Sequence, residues 1–275
     1  MRGFCALFAA PFMVLPWAVA AETPPARVVS INLCTDQMAL LLAAEGQLVS
    51  VSHLAVDPVS SQVTDLVGDL PLNHGQAEEV ALLAPDLVLA GMYTGQDTVR
   101  MLERLGYRVE SFAPEISLAD IRDNLRRMGG LLGQDAKAEA LIAQMDATLS
   151  ALADLPPTDK VAALYYSGGY TEGGASLGHE ILTQAGLANL TDILDLPYGG
   201  VLGIEEVVLN APDILVRGQA FAGYSRAEAM LSHPVLAAYV AQSGVALTTS
   251  PAWTCGTPRI APVIRDLALA VRKGE

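Results

Sequence analysis

GQAEEVALLAPDLVLAG (residues 75–91) returns, little altered, as LGIEEVVLNAPDILVRG (residues 202–218). Aligned on Glu-Glu-Val, the two stretches lie 127 positions apart and share Ala-Pro-Asp, the apolar run after it and the closing Gly. Each reads as one element. A short helix over residues 77–83 stops at Pro85, because the residue before a proline avoids helical geometry. Asp86 turns the chain, and residues 87–90 form a strand apolar enough to be buried on both faces. Gly91 closes the strand where a loop opens.

Around this unit strand and helix alternate. RVVSI (residues 27–31) is a β-rich run, and QMALLLAA is a helix that Asn32, Thr35 or Asp36 can cap with a side-chain oxygen. A strand over residues 48–54 precedes the unit, and a helix over residues 98–105 and a strand over residues 107–112 follow it. The pattern restarts after residue 157 with KVAALYY, the helix LGHEILTQAG, the repeated unit, a helix broken at Pro234, the strand GVALTT and a closing helix from Thr257. Such alternation predicts parallel sheets with helices on both faces. Between the halves, SLADIRDNLRRMGG reads as helical up to its glycines. QDAKAEALIAQMDATLSALADL then has no Gly or Pro and carries Ala138, Leu141, Ile142, Met145, Leu149 and Leu152 at helical spacing. One connecting helix of roughly 30 Å follows from 1.5 Å per residue.

The first twenty residues stand apart. MRGFCALFAAPFMVLPWAVA has a basic start, an apolar stretch broken by Pro11 and Pro16, and small residues Ala18 and Ala20. These are the marks of a secretory leader cleaved near Ala20, after which the mature protein should be exported. Cys5 lies too early for a lipid-bearing cysteine at the cleavage point. The divisions are then residues 1–20 leader, 21–132 N-terminal lobe, 133–156 connecting helix and 157–275 C-terminal lobe. The leader holds Arg2 and no acid, so the formal charge of −14 becomes −15 on cleavage. That charge repels phosphate backbones and disfavours nucleic acid as a partner.

Glu78 and Glu205 occupy matching places, each seven positions before its proline. A carboxylate there complements the positive end of a helix, which by itself gives the pair a structural role. The full order of features goes further. RVVSIN at the start, E-x(6)-P-D-[LI]-[LV] in each half, a long connecting helix and a terminal Trp…Pro-Arg segment resemble the periplasmic substrate-binding proteins of ATP-driven importers for iron-siderophores, haem and cobalamin. The likeness covers essentially the whole chain after the leader. It implies the class III periplasmic-binding-protein architecture, an α/β fold of two Rossmann-like lobes with parallel sheets joined by one long helix. It implies a monomer that takes a metal chelate into the cleft and hands it to a dimeric membrane permease. By the same resemblance Glu78 and Glu205 dock one to each half of that permease. A helix is stiffer than strand hinges, so lobe motions should be small.

Ligands of parallel α/β lobes lie beyond the carboxyl ends of the strands. The loops there carry Tyr93, Tyr166, Tyr170, Tyr224 and Trp253, flat rings with polar tips that suit a large planar ligand. YTEGGAS matches the family's aromatic-T-x-G-x-x-S stretch at the cleft, which selects Tyr170, and Trp253 follows. Leu70 and Gly91 stand where cobalamin binders of the family keep tryptophans. Among Arg217, Arg226 and Arg259, Arg259 is the candidate for a ligand carboxylate, and His74 is the histidine placed on a cleft loop. Cys34 and Cys255, 221 positions apart, admit three readings: a disulfide across the lobes, ligation of a haem or metal, or two unpaired residues. An exported pair tends to oxidise.

Two other functions compete. GASLG (residues 174–178) fits G-x-S-x-G, and Asp213 and His233 follow Ser176 in the order of a serine hydrolase. The polar SGGYTEGG separates Ser176 from its strand, however, where a nucleophile elbow follows directly. Capture of a bare metal ion is disfavoured because His53, His74, His179 and His233 show no ligand spacing. No phosphate-binding loop or dinucleotide fingerprint is present, so neither an ATPase nor a dehydrogenase is indicated.

Overall fold

The structure is a computed structural model, and it describes residues 23–219, 225–243 and 245–273. The leader and Tyr224 lie outside the described residues.

The first lobe alternates β1 (Val28–Ser30), α1 (Leu33–Leu42), β2 (Leu48–Ser52), α2 (Thr64–Val67), β3 (Leu72–Asn73), α3 (Ala77–Leu82), β4 (Leu87–Gly91), α4 (Gln96–Arg104) and β5 (Val109–Phe112). Its parallel sheet has the order β3-β2-β1-β4-β5. After α5 (Leu118–Leu132) and α6 (Asp135–Ser150), the second lobe begins with β6 (Val161–Tyr165) and β7 (Tyr170–Thr171). It continues through α7 (Leu177–Gln184), β8 (Ala188–Asn189), α8 (Leu190–Ile193), β9 (Gly200–Val201), α9 (Ile204–Asn210) and β10 (Ile214–Arg217). It ends with α10 (Arg226–Ala229), α11 (Pro234–Ser243), β11 (Ala246–Thr248) and α12 (Ile260–Ala270). The parallel sheet here has the order β11-β10-β6-β8, and β7 pairs with β9 as a small antiparallel ribbon. β6 and β10 sit side by side as β1 and β4 do, so the two lobes are wound alike.

The repeat explains that likeness atom by atom. Ala84 and Ala211, the residues before the prolines, take the left-handed conformation, with φ of 44° and 45°. Right-handed geometry is closed to them by the proline ring, and one left-handed residue reverses the chain from helix to strand. The aspartate that follows fastens the first strand of its own lobe. Asp86 Oδ2 accepts the backbone N–H groups of Ala26 and Arg27 at 2.8 and 2.9 Å. Asp213 Oδ2 accepts that of Val161 at 2.8 Å.

Strand residues alternate strictly between two layers. Val28, Leu87, Leu89, Ala162, Leu164, Ile214 and Val216 face inward, to a single apolar cluster that also takes in α1, α5, α6, α7 and α12. Val29, Val88 and Ala90 face an outer cluster with α3 and α4, and Ala163, Tyr165 and Leu215 face another with α9. The inner cluster is continuous from one sheet to the other. The lobes therefore share buried surface in addition to a linker, which stiffens them against each other.

The connection differs from the sequence expectation of one helix over residues 133–156. α5 does not stop at Gly129-Gly130 but runs through them to Leu132 and ends at Gly133, whose φ of 68° is the left-handed C-cap that favours glycine. α6 then covers Asp135–Ser150, about 24 Å at 1.5 Å per residue, and turns occupy residues 151–154. The two helices pack on each other. A Cβ built on Gly129 would lie 2.7 Å from the Cβ of Ala138. Gly129 is thus a contact point between helices rather than a helix stop.

Candidate functional site

In each lobe the chain winds outward from the first strand in one direction, then crosses back to wind in the other. The crevice between β1 and β4, and that between β6 and β10, are the switch points where α/β sheets bind ligands. Each holds a hollow. The first, of about 270 Å³, is lined by Asn32, Thr35, Met92, Tyr93, Thr94 and Glu115 among others. The second, of about 470 Å³, is lined by Tyr166, Ser167, Tyr170, Gly218, Thr249 and Ser250, with Val59 and Ser60 contributed by the first lobe.

The closing glycines of the repeat belong to these hollows. A Cβ on Gly91 would meet the Asn32 amide at 2.8 Å, and one on Gly218 would meet the Tyr166 ring at 2.8 Å. The loop after the first strand passes so close in each lobe that only glycine fits opposite it. Asn32 is held on both sides. Its Oδ1 accepts from the N–H groups of Cys34 and Thr35 at 3.0 and 3.4 Å, capping α1, and its Nδ2 donates to Thr94 Oγ1 at 2.9 Å. Of the three residues able to cap α1, Asn32 does so. Asp36 turns away and is fully buried, accepting from Ser52 N at 3.1 Å and from Ser52 Oγ. Burial pushes its carboxyl up from 3.8 to about 6, against the opposing pull of its hydrogen bonds.

The hollows meet at a bridge between the lobes. Cys34 and Cys255 form a disulfide with Cα atoms 5.2 Å apart. Cys34 lines the first hollow and Thr254, next to Cys255, lines the second. Bonded sulfurs offer no thiolate to a haem or metal. Gln62 Nε2 donates across the same seam to Thr257 Oγ1 at 2.8 Å.

The residues singled out from sequence separate into two groups. Tyr93, 80% exposed, stands at the rim of the first hollow, and Tyr166 and Tyr170 flank the second with ring centroids 6.3 Å apart. Burial, with Glu172 nearby, pushes the Tyr166 phenol well above its ordinary value, so it stays a neutral hydrogen-bonding group. His74, Trp253 and Arg259 line neither hollow. His74 ends the edge strand β3, where it stacks on His53 at 4.8 Å and meets Glu79 at 3.2 Å. Trp253 packs against the inner apolar cluster. The Arg259 guanidinium forks onto Asp65 at 3.1 and 3.4 Å and donates to the Gln62 carbonyl, so it clasps the lobes together. Arg217 follows the strand alternation to the outer layer and donates to the Leu231 carbonyl at 3.3 Å.

Sequence reasoning located the loops after β1, β4 and β6 but passed over Asn32, Met92 and Thr94 as ligand contacts, and it passed over the segment after β5 altogether. Glu115 is there, buried, its carboxyl raised by burial and held by Asn124 Nδ2 at 2.7 Å. Its signal was the proline before it, which ends β5 and opens a loop at the same sheet edge. Among the described residues Glu115 is the one formally charged side chain lining either hollow. Among them, too, no three His, Cys, Asp or Glu side chains converge to hold a metal ion.

The serine-hydrolase reading fails on geometry. Ser176 is the N-cap of α7: its Oγ accepts from His179 N at 3.1 Å and donates to the Gly173 carbonyl at 2.8 Å. Asp213 lies at the opposite, amino end of the sheet, bound to Val161 N. His233 Nδ1 accepts from Val235 N at 3.3 Å.

Glu78 and Glu205 are exposed at the first turns of α3 and α9, which begin at the carboxyl ends of their sheets. The second acid of each pair is occupied: Glu79 accepts from His74 N at 2.7 Å and Glu206 from Gly203 N at 2.8 Å. Neither Glu78 nor Glu205 makes a hydrogen bond or ion pair among the described residues.

Two similarly wound α/β lobes, a crevice at each switch point and a helical connection define a two-lobed binding protein. The chain belongs to the periplasmic binding protein family, whose sequence profile matches residues 28–242. It is 31% identical over 207 residues to a cobalamin-binding protein of Halobacterium salinarum, covering 73% of this chain and 56% of that protein. It is 25% identical over 134 residues, 48% of this chain, to an ABC transporter substrate-binding lipoprotein of Bacillus subtilis, of which it covers 42%. The chain thus spans about half the length of these relatives. Its fold matches the periplasmic heme-binding protein RhuT from Roseiflexus sp. RS-1 in apo form, with a TM-score of 0.73, 20% identity, and coverage of 90% of this chain and 98% of that one.

Proposed function

We propose that the protein is the substrate-binding component of an ABC importer, exported to the periplasm by residues 1–20, and that it carries an intact corrinoid chelate of the cobalamin kind as a monomer. The composition of the cleft supports this reading. Its two hollows present tyrosines, hydroxyls, an asparagine amide and one buried carboxyl, with no basic side chain among the described residues. A chelate that keeps all its own ligands and displays neutral amides suits such walls. A haem presents two carboxylates, which ask for a cation that the described walls of these hollows do not supply. The named function of the Halobacterium relative points the same way. Leu70 and Gly91, where the cobalamin binders of the family keep tryptophans, count against this choice of chelate and make the ligand titration below decisive. The lobe and linker divisions read from the sequence serve this function as two halves of one clamp.

Titration of the purified protein with cyanocobalamin, a ferric hydroxamate and haemin, followed by calorimetry, tests the assignment. Binding of cyanocobalamin ahead of the other two is expected. Preference for haemin, with a Soret shift on binding, overturns the corrinoid assignment. For docking, Glu78→Lys combined with Glu205→Lys abolishes uptake in cells while ligand binding survives, since charge pairs at a rim orient partners more than they hold ligand. Unimpaired uptake removes that role.

A further inference from the structure

The duplicated helices carry a second matched surface feature. Leu82 follows Glu78 by four residues and Leu209 follows Glu205 by four, so each pair lies on one helix face. Leu82 is 88% exposed and Leu209 82%. A single exposed leucine needs no explanation. Two at corresponding points are different, because the other positions off the core have diverged between the copies: Gln76 against Gly203, Ala81 against Val208, Leu83 against Asn210. Outside the buried positions these two helices agree only in the two acids and the leucine. One acid of each pair is already accounted for by the cap it makes. Around Leu209 the apolar surface continues into a hollow of about 580 Å³ lined by Ile204, Val208, Met230 and Val235, with Glu205 at its edge. Leu82 lines none of the hollows described above.

We infer that each docking point is a glutamate–leucine pair, that its occupant is a basic side chain next to an apolar one on each of two like permease subunits, and that the C-terminal point holds the tighter grip. This rests on the importer reading above and extends it. Chemistry divides the work. The carboxylate in solvent steers and orients the encounter, and its effect weakens with salt. The leucine loses water on contact, and its burial contributes to affinity at any ionic strength. The hollow beside Leu209 gives the partner's apolar side chain a ready seat.

The test uses the permease whose deletion abolishes uptake that depends on this protein, reconstituted in nanodiscs, with binding of full-length processed protein read by surface plasmon resonance across salt concentrations. Leu209→Ser is expected to weaken binding by about tenfold or more and Leu82→Ser by less, with the salt dependence unchanged. Glu78→Gln with Glu205→Gln is expected to slow association and flatten the salt dependence. Both leucines are exposed, so the variants should keep the parent melting temperature, which checks that folding is intact. If the glutamate variants weaken docking and the leucine variants do not, the inference is wrong and the importer reading stands. If neither set has an effect, docking at these helices fails altogether. A concentration-dependent dimer of the parent that Leu209→Ser abolishes assigns the surface to a second copy of this chain and also overturns the inference.

Discussion

Removing the Cys34–Cys255 bridge is the perturbation whose size follows most directly from the structure. The bond joins residues 221 positions apart. In the chain-entropy account, opening so long a loop returns about 5 kcal/mol of freedom to the denatured state, and measured losses fall more often at about 2–4. The folded state has little reason to change. The Arg259 fork onto Asp65, the Gln62 to Thr257 bond and the inner apolar cluster still join the lobes. The double variant Cys34→Ala with Cys255→Ala is the cleaner test, because Cys255 is buried and a single replacement would leave a lone thiol. Its far-ultraviolet dichroism should match the parent, and its urea midpoint should fall by about 1 M or more, given slopes of a few kcal/mol per molar. Dithiothreitol should shift the parent the same way and leave the variant unmoved. The unreduced, processed protein should show no free thiol after denaturation. Two titratable thiols, or coincident unfolding curves for variant and parent, would refute the reasoning.

Other outcomes follow from the same structure. Asp36 holds its proton more tightly folded than unfolded, so its contribution is fully favourable below pH 4 and is lost as pH rises from about 4 to about 6. Asp36→Asn should flatten the stability profile across that window and gain up to about 3 kcal/mol at pH 7, from 1.36 kcal/mol per pKa unit; an unchanged slope in melting temperature against pH contradicts this. Gly130→Ala should raise the melting temperature and Gly129→Ala lower it, since an added Cβ has 3.6 Å to its nearest neighbour at the first and only 2.7 Å at the second. The reverse order would mean that the two helices do not pack as described. Tyr166→Ala and Tyr170→Ala should each weaken binding of the chelate by about tenfold or more, while Arg259→Gln and Trp253→Phe leave it within about threefold. Calorimetry showing the opposite ranking would move the site.

Much of this protein is local and therefore readable in one dimension. The short, continuously apolar strands, the Pro-Asp stops and the 127-residue repeat are properties of neighbouring residues, and they determine two similar α/β lobes and the loops that crown them. The repeat even marks Gly91 and Gly218, although why those glycines are needed appears only when Asn32 and the Tyr166 ring are seen against them. The roles of individual side chains were settled by partners that the completed fold brings against them. Arg259 is neutralised by Asp65, 194 positions away, His74 is held by His53 and Glu79, Trp253 turns to a core assembled from both lobes, and Gly129 sits in a helix because Ala138 presses on it from the next one. Spacing along a chain carries no record of such pairings, because a charge or a ring meets whatever the completed fold brings within a few ångströms.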